Sequence, residues 1–212
     1  YFGLTSGACV LTAQYWGKKD TRTIEKVMGM SFRISILAGI VFAAAAFFFP
    51  YQLMRIFTTD EAVIAAGISY LKIVAFSYVL SAFTNVYLNI IRSIEQVVIA
   101  TIVYGTSLAA NIILNAIFIF GLFGAPAMGA AGAALGTLCS RAIEVVIVIF
   151  YAVKINHVVK IRFKDWFVKD KALAKDFFTY AFPVLLNEIA WGAGMAAISA
   201  IVGHLGSSAV AA

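Results

Sequence analysis

The sequence contains very few charged side chains. Asp, Glu, Lys and Arg together make up 12% of its 212 residues, whereas an ordinary globular protein has about 25%. Apolar residues account for 63%. A soluble domain could not cover its surface with so few charges, and the same balance excludes a disordered chain, a disulfide scaffold and a coiled coil.

Cysteine and histidine are also scarce, with two of each. Cys9 and Cys139 stand inside apolar runs and form no CxxC or metal-binding spacing. His157 and His204 lie far apart, and neither has an adjacent nucleophile. HExxH, GxSxG, P-loop and paired-aspartate patterns are missing as well. These absences predict that the protein is no enzyme and that it has no cofactor and no catalytic metal.

Charge is absent over long stretches, between Arg33 and Arg55 and between Glu95 and Arg141. Uncharged runs of about 20 residues match a hydrocarbon core about 30 Å thick. The second stretch is too long for one helix, and glycines with Pro126 in 121–129 predict a tight turn that divides it. The sequence therefore predicts an all-α, polytopic transmembrane helical bundle of about six spans, at 1–16, 30–50, 68–91, 97–122, 127–153 and 179–203.

Both ends of the sequence lie in apolar runs. We therefore expect a truncated first span and a fragment of a longer protein. Pro183 falls early in the last predicted span, where it either kinks the helix or belongs to its first turn.

The net charge of +6 comes from short basic clusters that alternate along the chain. Lys and Arg collect near 17–29, 92–96 and 154–178, whereas the second and fourth loops are poor in them. By the positive-inside rule, the three basic loops face the cytoplasm of a multi-pass protein in the plasma membrane. Because the basic clusters are short and lie between spans, we expect no nucleic-acid partner.

The connection at 154–178 also carries apolar side chains. This pattern favours an amphipathic helix in the inner headgroup layer, with a solvated basic linker as the alternative. The interleaved residues are Ile161, Phe163, Trp166, Phe167 and Leu173 with Arg162, Lys164, Lys169, Lys171 and Lys175.

Several polar side chains fall inside predicted spans, where they are costly and often functional. Asn111 and Asn115 are spaced i,i+4 and share one face of the fourth span, and Asn85 and Asn89 repeat that spacing on the third. These pairs indicate either interhelical hydrogen bonds or the lining of a wet cavity. By helix rise, Asn111 and Asn115 lie in the outer half of the bilayer, about 21 and 27 Å from the start near Val97.

Two acidic residues also fall within spans. Glu188 follows Pro183 among apolar residues, a placement that suits a group carrying a proton or holding a cation, with pairing or snorkelling as the alternative. Arg141 and Glu144 are spaced i,i+3 and are predicted mainly to neutralise each other.

Four motifs stand in a characteristic order along the chain: AQYWGKKD at 13–20, NIILN at 111–115 with IFG at 119–121, GAAGAALGT at 129–137 and GHLGSSAVAA at 203–212. Together they resemble the multidrug and toxic compound extrusion (MATE) transporters. In that family twelve helices form two six-helix lobes. The resemblance implies that this chain runs from the second helix to the seventh, with 1–153 in the amino-terminal lobe, 154–178 as the cytoplasmic inter-lobe linker and 179–212 as the first helix of the other lobe.

The resemblance also implies site residues. Asn111 and Asn115 match the polar pair of the fifth helix, Thr137 a threonine of the sixth, and Tyr70 a tyrosine of the fourth. Asn89 falls near a substrate-contacting asparagine. Glu188 resembles the cation-site glutamate of the seventh helix, and this resemblance implies a Na⁺ site at Glu188. Many members carry that glutamate about one turn farther along the helix, at the position where Trp191 stands here.

The function implied is a secondary antiporter that exports drug-like or organic cationic compounds in exchange for H⁺ or Na⁺ and acts as a monomer when full length. One alternative is a lipid-linked oligosaccharide flippase of the same superfamily, which commonly has a more cationic cavity. Another, from a different class, is a membrane-embedded enzyme or assembly subunit.

Overall fold

Helices account for nearly all of the described structure. The structure is a computed structural model that describes residues 2–167 and 170–204. Within those ranges it contains no strand, which confirms the predicted all-α class. Lys169 and positions 205–212, which belong to the predicted linker and last span, lie outside the described residues. The α-helices are α1 (Phe2–Gly17), α2 (Thr21–Phe48), α3 (Pro50–Phe57), α4 (Glu61–Ser93), α5 (Val97–Phe120), α6 (Ala130–Lys154) and α7 (Lys171–His204).

Five of these helices, α2, α4, α5, α6 and α7, are long and apolar enough to cross a membrane. The predicted polytopic helical bundle is therefore confirmed as a fold class. The first predicted span corresponds to α1, which has 16 residues and is shorter than the other five. The short helix α3 was not predicted; Pro50 occupies its first turn, where a missing N–H costs nothing.

Several helices begin earlier than their apolar runs because aspartates cap them. Asp20 accepts a 3.0 Å hydrogen bond from the Thr23 N–H, so α2 starts at Thr21 and the predicted loop at 17–29 shrinks to 18–20. Asp60 likewise accepts from the Ala62 N–H at 2.9 Å at the start of α4. At the other end of the chain, α7 starts at Lys171, which places Pro183 in the helix interior and not in its first turn.

The predicted amphipathic helix in the basic connection is wrong. Residues 155–167 form no α-helix and contain one short 3₁₀ helix, Phe163–Phe167, while Leu173 already belongs to α7. Buried Asn156 explains the break after α6, because its side-chain oxygen accepts from the N–H groups of Val158 and Val159 at 2.9 and 3.3 Å. Such local bonds compete with a continuing helix.

Helix α4 is the central element of the bundle, since it packs against α1, α2, α3, α5 and α6. The main core joins α2, α4, α5 and α6 around the fully buried side chains of Phe32, Tyr87, Val103 and Val148. A second cluster joins α1, α2 and α7, with Phe177 at its centre. Outside these clusters the helices present many apolar side chains on their outer faces, as expected of a protein whose solvent is lipid.

The three basic loops lie together at one end of the bundle. Buried Glu25 near the start of α2 accepts a 3.0 Å hydrogen bond from the backbone N–H of Lys160 in the last connection. Gln96, between α4 and α5, accepts a 2.9 Å hydrogen bond from the Tyr151 hydroxyl near the end of α6. The turn at 121–129 lies at the opposite end, and left-handed Gly121 (φ 73°) ends α5 there.

Candidate functional site

The helix pair α5–α6 is held close by glycines that have no room for a side chain. A Cβ added to Gly132 would overlap the backbone carbonyl of Phe118, and one added to Gly136 would overlap the side-chain oxygen of Asn115. Small residues of this kind let two membrane helices approach at backbone distance. The predicted GAAGAALGT motif at 129–137 therefore provides the contact surface that brings the polar groups of both helices together.

The predicted polar residues of these two helices form one hydrogen-bonded chain. The Asn115 amide donates to the side-chain oxygen of Asn111 at 3.0 Å, and the Asn111 amide donates to the Thr137 hydroxyl at 3.4 Å. Thr137 in turn donates to the Ala133 carbonyl at 3.0 Å. The structure thus brings together three of the six predicted site residues.

An open cavity of about 220 Å³ adjoins this chain. Polar side chains spaced three or four positions apart on α5 and α6 supply most of its lining, so each helix contributes one polar stripe. The lining residues are Tyr104, Ser107, Leu108, Asn111, Thr137, Ser140, Arg141 and Glu144.

Arg141 and Glu144 form the charged part of the cavity. The Arg141 Nη1 lies 2.5 Å from the Glu144 Oε1, which confirms the predicted pairing. The Thr84 hydroxyl of α4 donates to the other carboxylate oxygen at 3.2 Å, and the Glu144 side chain is fully buried. The pair also lines the cavity together with Asn111 and Thr137, a placement that the sequence analysis did not predict.

The other three predicted residues lie elsewhere. The Asn89 amide donates to the Asn85 carbonyl of its own helix at 2.8 Å, and its backbone oxygen receives the Cys9 thiol at 3.3 Å. Tyr70 is half-buried on α4 and does not line this cavity. Glu188 is at the α1–α7 contact, where its Cγ would lie 3.1 Å from a Cβ added to Gly3.

The asparagine pair of α4 thus differs from that of α5. The Asn85 amide donates to the Ser81 carbonyl at 2.9 Å, so both α4 amides bond within their own helix. The sequence indicated either interhelical hydrogen bonds or the lining of a wet cavity for such pairs. Asn111 lines the cavity, whereas Asn85 and Asn89 do not.

Sequence patterns did not identify Tyr104, Ser107, Ser140 or the position of the Arg141–Glu144 pair in the cavity. A signal was present: Ser107 precedes Asn111 by four positions, and Ser140 and Glu144 continue the spacing that starts at Thr137. Hydroxyl residues are common in membrane helices because they bond to their own backbone, as the Ser140 hydroxyl does to the Gly136 carbonyl at 2.8 Å. The stripe alone therefore does not distinguish a cavity from ordinary helix contacts.

Chemically, the cavity offers oxygen acceptors, hydroxyl donors and one ion pair. Next to the cavity, but not in its lining, the buried Asn115 side-chain oxygen packs against Gly136 and has no hydrogen-bond partner among the described residues. Within the same residues no group of three or more His, Cys, Asp or Glu could hold a metal ion. Such a lining suits polar or charged small molecules and single ions more than it suits bond-making chemistry.

Comparison with known proteins gives a family match and two relatives whose names both refer to multidrug resistance or export. Residues 1–117 match the model of the MatE family. The chain is 26% identical over 99% of its length to a probable multidrug resistance protein, YoeA, of Bacillus subtilis, and covers 46% of that protein. It is 27% identical over 99% of its length to the multidrug export protein MepA of Staphylococcus haemolyticus, of which it covers 45%.

The fold has counterparts among solved structures. A crystal structure of MATE in the bent conformation superposes with a TM-score of 0.81 at 23% identity, covering 92% of this chain and 42% of the other. That likeness shows a shared fold. The chain spans about half the length of the curated relatives that it matches.

Proposed function

The chain belongs to the MatE family, and on that premise we propose that it is part of a secondary active antiporter. The protein would export drug-like or organic cationic compounds in exchange for H⁺ or Na⁺. It would do so by alternating access, in which two lobes rock around a central site. Two relatives are named as a multidrug resistance protein and a multidrug export protein, and these names support drug-like compounds as the substrates.

The observation that carries the proposal is the polar cavity between α5 and α6. The outer faces of both helices are apolar, with Ile112 and Val146 more than half exposed, yet their facing sides carry amides, hydroxyls and an ion pair. Polar groups at bilayer depth are costly and typically line the path of a substrate or an ion. A purely structural bundle would not need an open polar space there.

The charge distribution supports an export orientation. Loops 18–20 and 94–96 and the described stretch 155–167 share one end of the bundle. The basic residues of this end outside the α-helices are Lys18, Lys19, Lys160, Arg162 and Lys164, and Arg92 lies in the last turn of α4 beside the second loop. By the positive-inside rule this end faces the cytoplasm. Export by the multi-pass chain would then run from the end with the basic loops toward the end with the turn at 121–129.

The ion pair also favours drug export over oligosaccharide flipping. Arg141 is the basic residue of the cavity, and Glu144 neutralises it at 2.5 Å. A lining without net positive charge is poorly matched to a pyrophosphate-linked sugar and is compatible with an organic cation.

The test is cation-driven efflux of a fluorescent dye from cells that express the complete protein. Asn115→Ala and Asn111→Ala should each lower efflux at least about tenfold, since each removes a link of the amide chain. The matched control is Asn85→Ala, which truncates an amide that bonds only to its own helix. Wild-type efflux in both amide-chain variants would remove the site assignment, and a wild-type protein without drug efflux would remove the proposed function.

The coupling ion has a candidate position at Glu188. A Na⁺ held there would be lost in Glu188→Gln, so sodium-driven efflux should fall while proton-driven efflux remains. Efflux driven equally well by either gradient in that variant would exclude a sodium site at Glu188.

A further inference from the structure

Another open cavity lies at the end of the bundle that carries the basic loops. Its volume is about 400 Å³, within the range of about 300–1,000 Å³ that small-molecule sites occupy. Three segments meet there: the end of α1 with the loop that follows it, the start of α2, and the linker. The lining residues are Trp16, Gly17, Lys19, Thr21 and Val158.

The cavity lies level with the surface of the membrane. Ile24, one turn into α2, belongs to the same core cluster as Ile94, which stands just before α5 begins at Val97. The first turn of α2 is therefore at the height where the long apolar helices start. Lipid headgroups are found at this height, beside the ends of membrane-spanning helices.

The lining has an apolar part and a polar part. The partly buried Trp16 ring and Val158, which is 39% exposed, supply apolar surface. Lys19 supplies an ammonium group and Thr21 a hydroxyl group. Tryptophan is common at the interface between membrane and water because its ring is apolar and its N–H is polar. Such a lining suits a ligand that is itself amphipathic.

Lys19 contributes an uncompensated charge. Its ammonium group forms no ion pair within residues 2–167 and 170–204. The adjacent Asp20 carboxylate is engaged in capping α2, since it accepts the N–H and the hydroxyl of Thr23 at 3.0 and 2.6 Å. Lys18 lies outside the lining, with its ammonium 5.4 Å from the centre of the Tyr15 ring. The cavity therefore offers one positive charge to an anion.

The backbone at Lys19 is left-handed, with φ 59°. The Lys19 N–H donates to the Trp16 carbonyl at 2.9 Å and the Asp20 N–H donates to the Tyr15 carbonyl at 3.0 Å. These two bonds form a Schellman motif, in which the left-handed position is usually glycine. A lysine there costs backbone energy that a glycine would not, and such strain favours a role for the side chain.

We propose that this cavity binds the headgroup of an anionic phospholipid from the adjacent leaflet. Lys19 and the Thr21 hydroxyl would donate hydrogen bonds to the phosphate, while Trp16 and Val158 would contact the glycerol and the first acyl carbons. With the basic end of the bundle at the cytoplasm, this leaflet is the inner one, whose anionic lipids attract basic segments beside membrane helices. The inference does not depend on the proposed antiport.

The preference for an anionic headgroup follows from charge. A zwitterionic headgroup brings its own ammonium group, whereas an anionic headgroup presents a net negative charge to Lys19. One lysine beside an anionic surface strengthens the attraction about fivefold. If Lys19 only marked the topology of the chain, Lys18 would be equivalent to it, because both carry the same charge in the same loop.

The experiment measures quenching of Trp16 fluorescence by lipids that carry bromine near the glycerol end of their acyl chains. The complete protein, with Trp16 as its only tryptophan, is placed in nanodiscs of brominated phosphatidylglycerol and plain phosphatidylcholine, or of plain phosphatidylglycerol and brominated phosphatidylcholine. Both ends of the bundle contact lipid in a nanodisc, so the result does not depend on orientation in the cell. At equal mole fractions, quenching should indicate an affinity about fivefold higher for phosphatidylglycerol.

Two substitutions of one residue separate lipid binding from structure. Lys19→Gln should abolish the preference for phosphatidylglycerol. Lys19→Gly should abolish it as well, yet raise the thermal unfolding temperature, because glycine relieves the left-handed backbone. The matched control is Lys18→Gln, which removes the same charge from the same loop outside the cavity lining and should keep the preference.

Three results would overturn the inference. Equal quenching by the two lipids in the wild type would exclude an anionic-lipid site. An equal loss of preference in Lys18→Gln and Lys19→Gln would assign the effect to general surface charge. Loss of quenching when inorganic phosphate replaces chloride at the same ionic strength would assign the cavity to a soluble anion. Absence of drug efflux would instead refute only the proposed function, since lipid contact is measured without a drug.

Discussion

The Arg22 guanidinium makes two parallel hydrogen bonds to the carboxylate of Asp165, each 2.7 Å long, across 143 positions of sequence. Asp165 is buried at 1% exposure in the linker, and Arg22 lies in the first turn of α2. The same arginine reaches Glu25 at 2.7 Å, and Arg162 reaches Glu25 at 3.2 Å. Such bidentate pairs fix orientation as well as distance, so the linker is held in one position on α2.

Asp165→Asn should therefore loosen the linker. The Asn side chain has one oxygen, which can accept only one of the two guanidinium bonds, and its NH2 group would face a guanidinium N–H that is also a donor. The bidentate charged pair is therefore lost. Tryptic cleavage at Lys160, Arg162 and Lys164 in the complete, folded protein should become severalfold faster than in the wild type.

The control for this prediction is Asp176→Asn, since Asp176 is exposed on α7. Gly29→Ala provides an independent route to the same result, because its Cβ would lie 2.6 Å from the Asp165 carbonyl carbon and oxygen. Unchanged cleavage in both Asp165→Asn and Gly29→Ala would show that the linker position does not depend on this contact.

Gly136→Ala should disturb the amide chain of the cavity. Its methyl group would overlap the Asn115 side-chain oxygen and displace the amide from its 3.0 Å bond to Asn111. Overpacking of this kind costs about 1–3 kcal/mol. Dye efflux and the thermal unfolding temperature should both fall.

A double-mutant cycle tests the cause. Gly136→Ala combined with Asn115→Ala should be no worse than Asn115→Ala alone, because the clash partner is gone. Gly105→Ala, at a helical glycine with open space around it, should leave both measurements unchanged. Additive losses in the double variant would contradict a contact between these two residues.

The stability of α2 should depend on acid pH through Asp20. The hydrogen bond from the Thr23 hydroxyl, followed by that from the Thr23 N–H, lowers the pKa of Asp20 below its ordinary 3.8. A lowered pKa in the folded state means that the stabilisation is present above pH 3.8 and is lost as the pH falls through the folded value. Asp20→Ala should cost about 1 kcal/mol near pH 7, with the loss shrinking in stronger acid.

Thermal unfolding of the purified protein between pH 2.5 and 7 measures this dependence. Asp20→Asn keeps a cap that does not titrate, so its stability difference from the wild type should change over that range. A difference between wild type and Asp20→Asn that stays constant from pH 7 down to pH 2.5 would exclude a titrating cap.

Accessibility should reveal the orientation of the bundle. In a background with Cys9→Ala and Cys139→Ala, a membrane-impermeant maleimide should label Phe123→Cys on intact cells, because Phe123 is 94% exposed in the outer turn. Lys164→Cys should react only after permeabilisation. Labelling of Lys164→Cys on intact cells would contradict the proposed topology and indicate the opposite orientation.

Much of the architecture follows from the sequence alone. The uncharged runs bounded by basic clusters predicted the order of the helices and located the five long ones, because backbone polar groups in hydrocarbon must be satisfied within a helix. Gly121 and Gly129, both with positive φ, marked the turn between α5 and α6. The spacing of Asn111 and Asn115, with Thr137 in a small-residue helix, identified one side of the cavity.

Only the tertiary structure decided which polar residues meet. Asn85 and Asn111 have the same local pattern, but one bonds within its helix and the other bonds across to α6, because helix rotation and neighbour contacts are not encoded in spacing. The helix starts at Thr21 and Lys171 likewise depend on caps and on linker docking. Above all, the sequence showed that Arg141 and Glu144 neutralise each other, whereas the packing of α4, α5 and α6 buried the carboxylate and left the arginine facing the cavity.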